Sequence, residues 1–333
     1  MPSPPETMRA WRVHELGDPL DVLRLERVSA LEPTEHHVVL EVLAAAVNFA
    51  DTLLCRGTYQ EKPERPFTPG LELCGRVLAA PADSPVAVGE RVIALPALPH
   101  GGLAEQAWAL PTDVFAVPDT MDDVTAAALP VTYQTGWFGL YHRARLEEGE
   151  TVLVHAGAGG VGSAAIQLAK ARGARVIATA GGPDKVELCR DLGADVAVDY
   201  RDDDFVAVTN DVTEGRGADV IYDSVGGDTF DRSRKCIAFE GRIVVVGFAG
   251  GRIADAPTNH LLVKNYGVLG LHWSRYRVLQ PDLVRRCHDE LVALHGRGVV
   301  RPLIGSVRPL DEVPRALDDL AGRATVGKVV VVP

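Results

Sequence analysis

Cysteine is scarce in this chain. Five residues, Cys55, Cys74, Cys189, Cys236 and Cys287, stand far apart and odd in number, with no Cys-x-x-Cys pair among them. That spacing excludes a disulfide framework and a cysteine-built structural zinc site, and leaves reduced, buried thiols as the expectation. Positive charge is also in deficit: 34 Lys and Arg against 45 Asp and Glu give a net charge of −11, and no basic run stands apart from it. Nucleic acid and anionic membrane surfaces are therefore not expected partners. Apolar runs never reach the length of a membrane span, and the opening MPSPPETMRA lacks the apolar core of a signal peptide, so a cytoplasmic location is expected.

What is present is an ordinary globular composition, 47% hydrophobic and 24% charged over 333 residues, enough for two domains with separate cores. The stretch 151–162 reads TVLVHAGAGGVG. A short Val- and Leu-rich strand pattern runs into a glycine turn, and SAAIQLAKA (163–171) continues with helical apolar spacing. A second strand pattern, ARVIAT (174–179), follows at the distance of a βαβ unit. In that context Gly157, Gly159, Gly160, Val161 and Gly162 read as a dinucleotide turn, with bare backbone brought up to a pyrophosphate at the positive end of a helix.

The end of the second strand selects among dinucleotides. An NAD site carries an acid there to accept from the ribose hydroxyls, and such an acid would repel a 2′-phosphate. This chain instead reads Thr179-Ala180-Gly181-Gly182-Pro183-Asp184-Lys185. Lys185 offers an ammonium to a phosphate, Thr179 and the Gly181 and Gly182 amides offer hydrogen bonds, and Asp184 reads as a helix cap, so NADPH is the expected coenzyme.

Two textures divide the chain. Residues 1–7 read as a disordered leader. From Met8 short strands alternate with turns (RAWRV, VLRLERV, HHVVLEVLAAAV, CGRVLAA, ERVIALPA), and helix signals begin at 124–129 and 132–144. From Glu150 strands and helices alternate: TVLVHA, ARVIAT, VAVDY, ADVIYDSV, GRIVVVGF and YGVLGLHW, with helices expected at 163–172, 183–192, 228–238 and 258–264. Six such strands predict a doubly wound parallel sheet. A helix at 282–296 and the strand KVVVVP end the chain.

The segments VNFADTLLCRGTY (47–59), PFTPGLELCGRV (66–77), VGERVIAL, ALPVTYQTGWFGL (128–140), HAGAGGVG, GADVAVDYR and TVGKVVVVP, in this order, resemble the medium-chain dehydrogenase/reductase superfamily, and within it the zinc-free quinone oxidoreductase branch that includes zeta-crystallin. The resemblance implies an α/β chain: a GroES-like β-barrel catalytic domain (8–128), a Rossmann dinucleotide-binding domain (129–272) and a C-terminal return to the catalytic domain (273–333), with the active cleft between the domains. It also implies a homodimer joined through edge strands, for which 268–272 is apolar enough.

The resemblance carries site residues one at a time. Asn48 and Thr135 match positions near the nicotinamide, Gly159, Gly160 and Val161 the pyrophosphate, Lys185 and Tyr200 the 2′-phosphate, Ser224, Phe248 and Ala249 the nicotinamide ribose side, and Lys328 a late basic position near the coenzyme. Tyr59, where related enoyl reductases also have a tyrosine, is the candidate proton donor or substrate hydrogen bond; Asp51 either orients Asn48 or caps the following helix. Alcohol dehydrogenases of the superfamily have a Cys where Asn48 stands, a His at Leu71 and a four-cysteine lobe after Val88. Glu72 alone cannot hold a catalytic zinc, so no metal is expected. Zeta-crystallin-like proteins have a second tyrosine at Leu53, and its absence makes the pocket more apolar. His100, His155 and His272 have no dyad spacing. The expected function is NADPH-dependent, zinc-independent reduction of a quinone. The alternatives are reduction of α,β-unsaturated carbonyls or enoyl thioesters, and an NADPH-binding structural or regulatory protein with little turnover.

Overall fold

A computed structural model describes residues 6–333. Positions 1–5 of the expected leader lie outside the described residues, and its last residue, Thr7, already opens a strand. The chain divides into two compact units, Met1–Val131 with Ile304–Pro333, and Thr132–Leu303.

In the first unit β1 (Thr7–Val13) pairs antiparallel with β2 (Leu23–Ser29), from Thr7 opposite Ser29 to Val13 opposite Leu23. Asp18 turns the chain between them: its carboxylate accepts from the Leu20 N–H and Pro19 occupies the first helical position of Pro19–Val22, a pairing that suits a residue with no N–H to lose. Next come β3 (Val38–Ala46), β4 (Leu73–Ala79), β5 (Arg91–Pro96) and β6 (Gln106–Ala116). Each pairs antiparallel with the next, and β6 pairs back onto β3, which closes a ring of four strands. Closure removes the free edges that an open sheet would expose. Val38, Leu40, Val42, Leu73, Val77, Val92 and Ala94 turn inward to form the core.

The second unit supplies β7 (Thr151–Val154), β8 (Arg175–Ala180), β9 (Val196–Asp199), β10 (Ala218–Asp223), β11 (Ile237–Val245) and β12 (Gly267–Gly270). All pairs are parallel, in the order β9-β8-β7-β10-β11-β12. In chain sequence that order is 3-2-1-4-5-6, the doubly wound arrangement, with its switch point between β7 and β10. β7 is buried at every position, as a strand covered on both faces must be. The chain then returns to the first unit with β13 (Ile304–Pro309), parallel to β14 (Lys328–Val332), which pairs antiparallel with β3.

The structure departs from expectation at three places. The helix expected over 228–238 ends at Ser233, because Ile237 and Ala238 already belong to β11. The helix Phe205–Val212, capped by the Asp204 carboxylate on the Val206 N–H, had no sequence counterpart above. The return to the first unit falls at Ile304 rather than 273. The helix Pro281–Gly296 and the residues after it are tied to the second unit by Trp137 Nε1 donating to Glu290 (2.9 Å) and by a two-way amide pair between Gln167 and the Arg301 backbone (2.7 and 3.0 Å). Trp137 is thus a buried structural indole.

Candidate active site

In the second unit the helix Gly160–Ala171 opens directly beyond the end of β7. A Cβ on Gly162 would stand 2.1 Å from the Ala156 carbonyl oxygen and 2.8 Å from Gly157 Cα, so only glycine lets the first helical turn close onto the strand end. Gly157 is enclosed as well, since a Cβ there would meet Cys189 Sγ at 2.8 Å and Ala178 Cβ at 3.0 Å. Gly159, the N-cap, has a less crowded surrounding, with the Ala156 carbonyl oxygen at 3.3 Å as its nearest neighbour. Gly157 and Gly162 therefore shape the turn. Gly160, Val161 and Gly162 supply the first N–H groups of the helix, which have no intrahelical acceptor and stand at its positive end.

A buried imidazole braces this turn. His155 Nε2 lies 2.8 Å from Ser233 Oγ and Nδ1 lies 3.1 Å from Thr179 Oγ1. Ser233 donates its own proton to the Thr229 carbonyl (2.7 Å), so it accepts from His155 Nε2–H. Nδ1 is then an acceptor, and Thr179 donates to it. Burial pushes the His155 pKa down to about 4, which keeps the ring neutral. Thr179, expected to donate to a coenzyme, has spent its proton on His155. The Gly182 N–H is also engaged, donating to Asp199 Oδ1 at 3.0 Å.

Around that glycine pair the structure gathers the side chains expected at a 2′-phosphate. Tyr200 Oη would lie 2.5 Å from a Cβ on Gly181, so glycine is needed for the phenol to lie over the turn. Tyr200 is 42% exposed, and Lys185 is half-buried with its pKa lowered by burial and by the neighbouring Arg201. Arg201 went unremarked in the sequence, although it follows Tyr200 directly. At the ends of later strands Ser224 is buried, Phe248 half-buried and Ala249 exposed, with the Ala249 N–H donating to the Ser224 carbonyl at 3.1 Å. Thr135 is buried on the helix Pro130–Trp137.

In the first unit the expected residues belong to one buried charged network. Lys328 is 4% exposed in its side chain and Glu72 0%; they form an ion pair at 2.7 Å. The Lys328 ammonium also donates to Asn48 Oδ1 (2.7 Å) and to the Val47 carbonyl (2.9 Å). Its three protons are thereby used, so Lys328 orients Asn48 and has none left for a coenzyme phosphate. Asn48 Nδ2 donates to Glu72 Oε1 (2.9 Å) and the Ala46 carbonyl (3.3 Å), while Glu72 Oε2 accepts from the Val131 N–H (2.7 Å). Both donors of Asn48 are spent and one lone pair of Oδ1 remains, so toward a ligand it can only accept.

Asp51 both caps and braces. One oxygen accepts from the Asn48 N–H (2.7 Å) at the start of the helix Phe49–Cys55, and the other from the Gly70 N–H (2.9 Å). Tyr59 follows that helix, half-buried against the barrel core, with its N–H on the Leu53 carbonyl. Leu53 is half-buried and Leu71 buried. These donors do not fit a catalytic zinc: both oxygens of Glu72 are hydrogen-bonded, Asn48 keeps only an amide oxygen's lone pair, Leu71 is apolar, and an ammonium already sits on Glu72.

Complete burial raises the Asp51 pKa from 3.8 to about 6, with its two backbone N–H bonds and Lys328 opposing the shift and Glu72 adding to it. Because the native state holds this proton more tightly than the unfolded chain, the associated stability is complete below about pH 4 and is lost as pH rises through about 6. Asp51→Asn removes that dependence. Denaturant unfolding is expected to find the variant less stable by about 1–3 kcal/mol at pH 5, since one N–H loses its acceptor. The gap narrows by roughly 1 kcal/mol at pH 7.5; a gap that widens with pH would contradict the buried-acid account.

Comparison with known proteins places this architecture. Residues 34–119 match the alcohol dehydrogenase GroES-like domain and residues 160–288 the family described as zinc-binding dehydrogenase. Quinone oxidoreductase-like protein 2 of Bos taurus is 40% identical over 97% of this chain and 92% of its own. A mycobacterial protein solved in complex with NADPH superposes with a TM-score of 0.90 at 33% identity, covering 98% of this chain and 100% of that one. The quinone oxidoreductase of Thermus thermophilus, also solved in complex with NADPH, gives 0.83 at 34% identity over 98% and 100%. With the glycine turn of a coenzyme domain in one unit, and Asn48 and Leu71 where metal-dependent relatives have ligands in the other, the chain belongs to the zinc-free, quinone oxidoreductase-like branch of the medium-chain dehydrogenase/reductase superfamily.

Proposed function

We propose that the protein is an NADPH-dependent, zinc-independent reductase that delivers hydride to a quinone. The observation that carries this reading is the closed glycine turn, where the 2.1 Å approach at Gly162 leaves room for nothing but backbone at the positive end of a helix. The names of the relatives support the acceptor class. NADPH, when bound, supplies the hydride. The amides of Gly159, Gly160 and Val161 would hold its pyrophosphate and Lys185 and Tyr200 its 2′-phosphate. Thr135, Ser224, Phe248 and Ala249 would face its nicotinamide end.

A quinone makes small demands on the rest of the site. Its reduced form delocalises charge over the ring, so the protein has mainly to position flat rings and exclude water, for which the apolar Leu53 and Leu71 are suited. Tyr59 Oη is the group that would give a proton to an oxyanion or enolate. Such a donor matters more for enones and enoyl thioesters, whose enolates must be protonated at a defined atom.

Three measurements test the reading. Loss of absorbance from NADPH is expected with 1,4-benzoquinone, and not with crotonyl thioester, acrolein or NADH in place of NADPH. Reduction of the thioester alone would transfer the assignment to enoyl reductase, and tight NADPH binding without oxidation by any acceptor would mark a binding protein. Tyr59→Phe is expected to change benzoquinone turnover less than about threefold, whereas a general acid would lose roughly a hundredfold. Gly162→Ala is expected to abolish NADPH binding by fluorescence titration, because its methyl would displace the Ala156 carbonyl. A homodimer through β12 is part of the proposal: the strand lies at one edge of its sheet, and the nearby Leu262 and Val263 are exposed. Sedimentation should then give twice the chain mass.

A further inference from the structure

We infer that Arg201 is the principal ligand of the coenzyme's 2′-phosphate, ahead of Lys185, and so a residue that sets the preference for the phosphorylated coenzyme. The inference rests on the coenzyme reading above and assigns a role to a side chain whose place emerges only in the fold.

The backbone at Arg201 is fixed. Asp199, the last residue of β9, accepts from the Gly182 N–H and the Arg201 N–H with the same oxygen, each at 3.0 Å, so one carboxylate joins the turn after β8 to the turn after β9. The guanidinium, though exposed, folds back over the glycine pair. Its Nε lies 3.2 Å from where a Cβ on Gly181 would stand, and its Nη1 lies 3.0 Å from the corresponding point on Gly182.

Acids outnumber bases 45 to 34, and in the same unit Arg190, Arg232 and Arg252 each sit on a carboxylate. Arg201 does not: among the described residues its guanidinium makes no hydrogen bond or ion pair. Its charged neighbours are a cation, Lys185, whose pKa it helps to lower, and Asp199, whose Oδ1 is already committed to two N–H groups and which is held ionised by them. Two cations held close together each lower the cost of bringing an anion between them. A phosphate dianion is the anion this arrangement fits, since a planar fork can bind two of its oxygens while the ammonium meets it as a point charge. Tyr200 Oη, over Gly181, stands at the same edge.

The test uses calorimetric titration of the intact protein with 2′,5′-ADP and, separately, 5′-ADP, which differ only in the 2′-phosphate. The wild type is expected to favour 2′,5′-ADP by about a hundredfold. Arg201→Ala should weaken 2′,5′-ADP by about 10- to 30-fold and leave 5′-ADP within twofold, the second ligand reporting that the fold is intact. Arg201→Lys should recover only part of the loss, because it restores charge without the fork. Lys185→Ala should cost less than Arg201→Ala. Three results would overturn the assignment: a 2′,5′-ADP affinity unmoved in Arg201→Ala while Lys185→Ala loses it, equal losses for both ligands in Arg201→Ala and Arg201→Gln, or full recovery by lysine. If the wild type itself fails to distinguish the two ligands, the coenzyme reading falls, and this assignment with it.

Discussion

A single buried ammonium organises the first unit. Lys328 opens the last strand, and its charge is held at 4% exposure by Glu72, Asn48 and the Val47 carbonyl. Desolvating such a pair costs several kcal/mol for each ion, and the attraction offsets that cost only when the remaining hydrogen-bonding capacity is filled. Here it is filled: three protons on the ammonium, both on the Asn48 amide, and both oxygens of Glu72. The return on that arrangement is specificity of position. The C-terminal strand is locked to the start of the helix that carries Asp51, and the Asn48 amide has one orientation and one open lone pair.

The second unit solves a similar problem without charge. The turn that leads from β7 into its helix is braced by a neutral imidazole between Thr179 and Ser233, and every proton in that chain of bonds has a determined direction. Neutrality follows from burial, which disfavours the charged form of the ring. Positive charge lies instead at the turns after β8 and β9, on Lys185 and Arg201.

Absence of metal-binding side chains and the charged network of the first unit are two sides of one physical fact. A site that needs a Lewis acid must leave donors uncommitted. This one commits them to each other. In the first unit the Asn48 carbonyl oxygen keeps one open lone pair.

Much of this was written along the chain. The period of apolar residues fixed the six-stranded parallel sheet, because strands covered on both faces must be continuously apolar and the helices between them must repeat at 3.6 residues. The glycine turn was legible because a helix that closes this tightly onto a strand end can carry no Cβ at Gly162. What spacing could not show was the fate of each proton and charge. Lys328 read as a basic residue near a coenzyme and is a saturated internal cation; Thr179 read as a free donor and is the partner of a histidine 24 residues away; Arg201 had no reading of its own and folds onto glycines that follow a different strand. Helix 228–238 failed for a related reason, since a short apolar run fits a strand or a helix equally until its neighbours pair with it. Local sequence dictates local backbone, but a hydrogen bond or an ion pair between distant residues exists only once the fold has brought them within about 3 Å, and that encounter is where the chemistry of this site was decided.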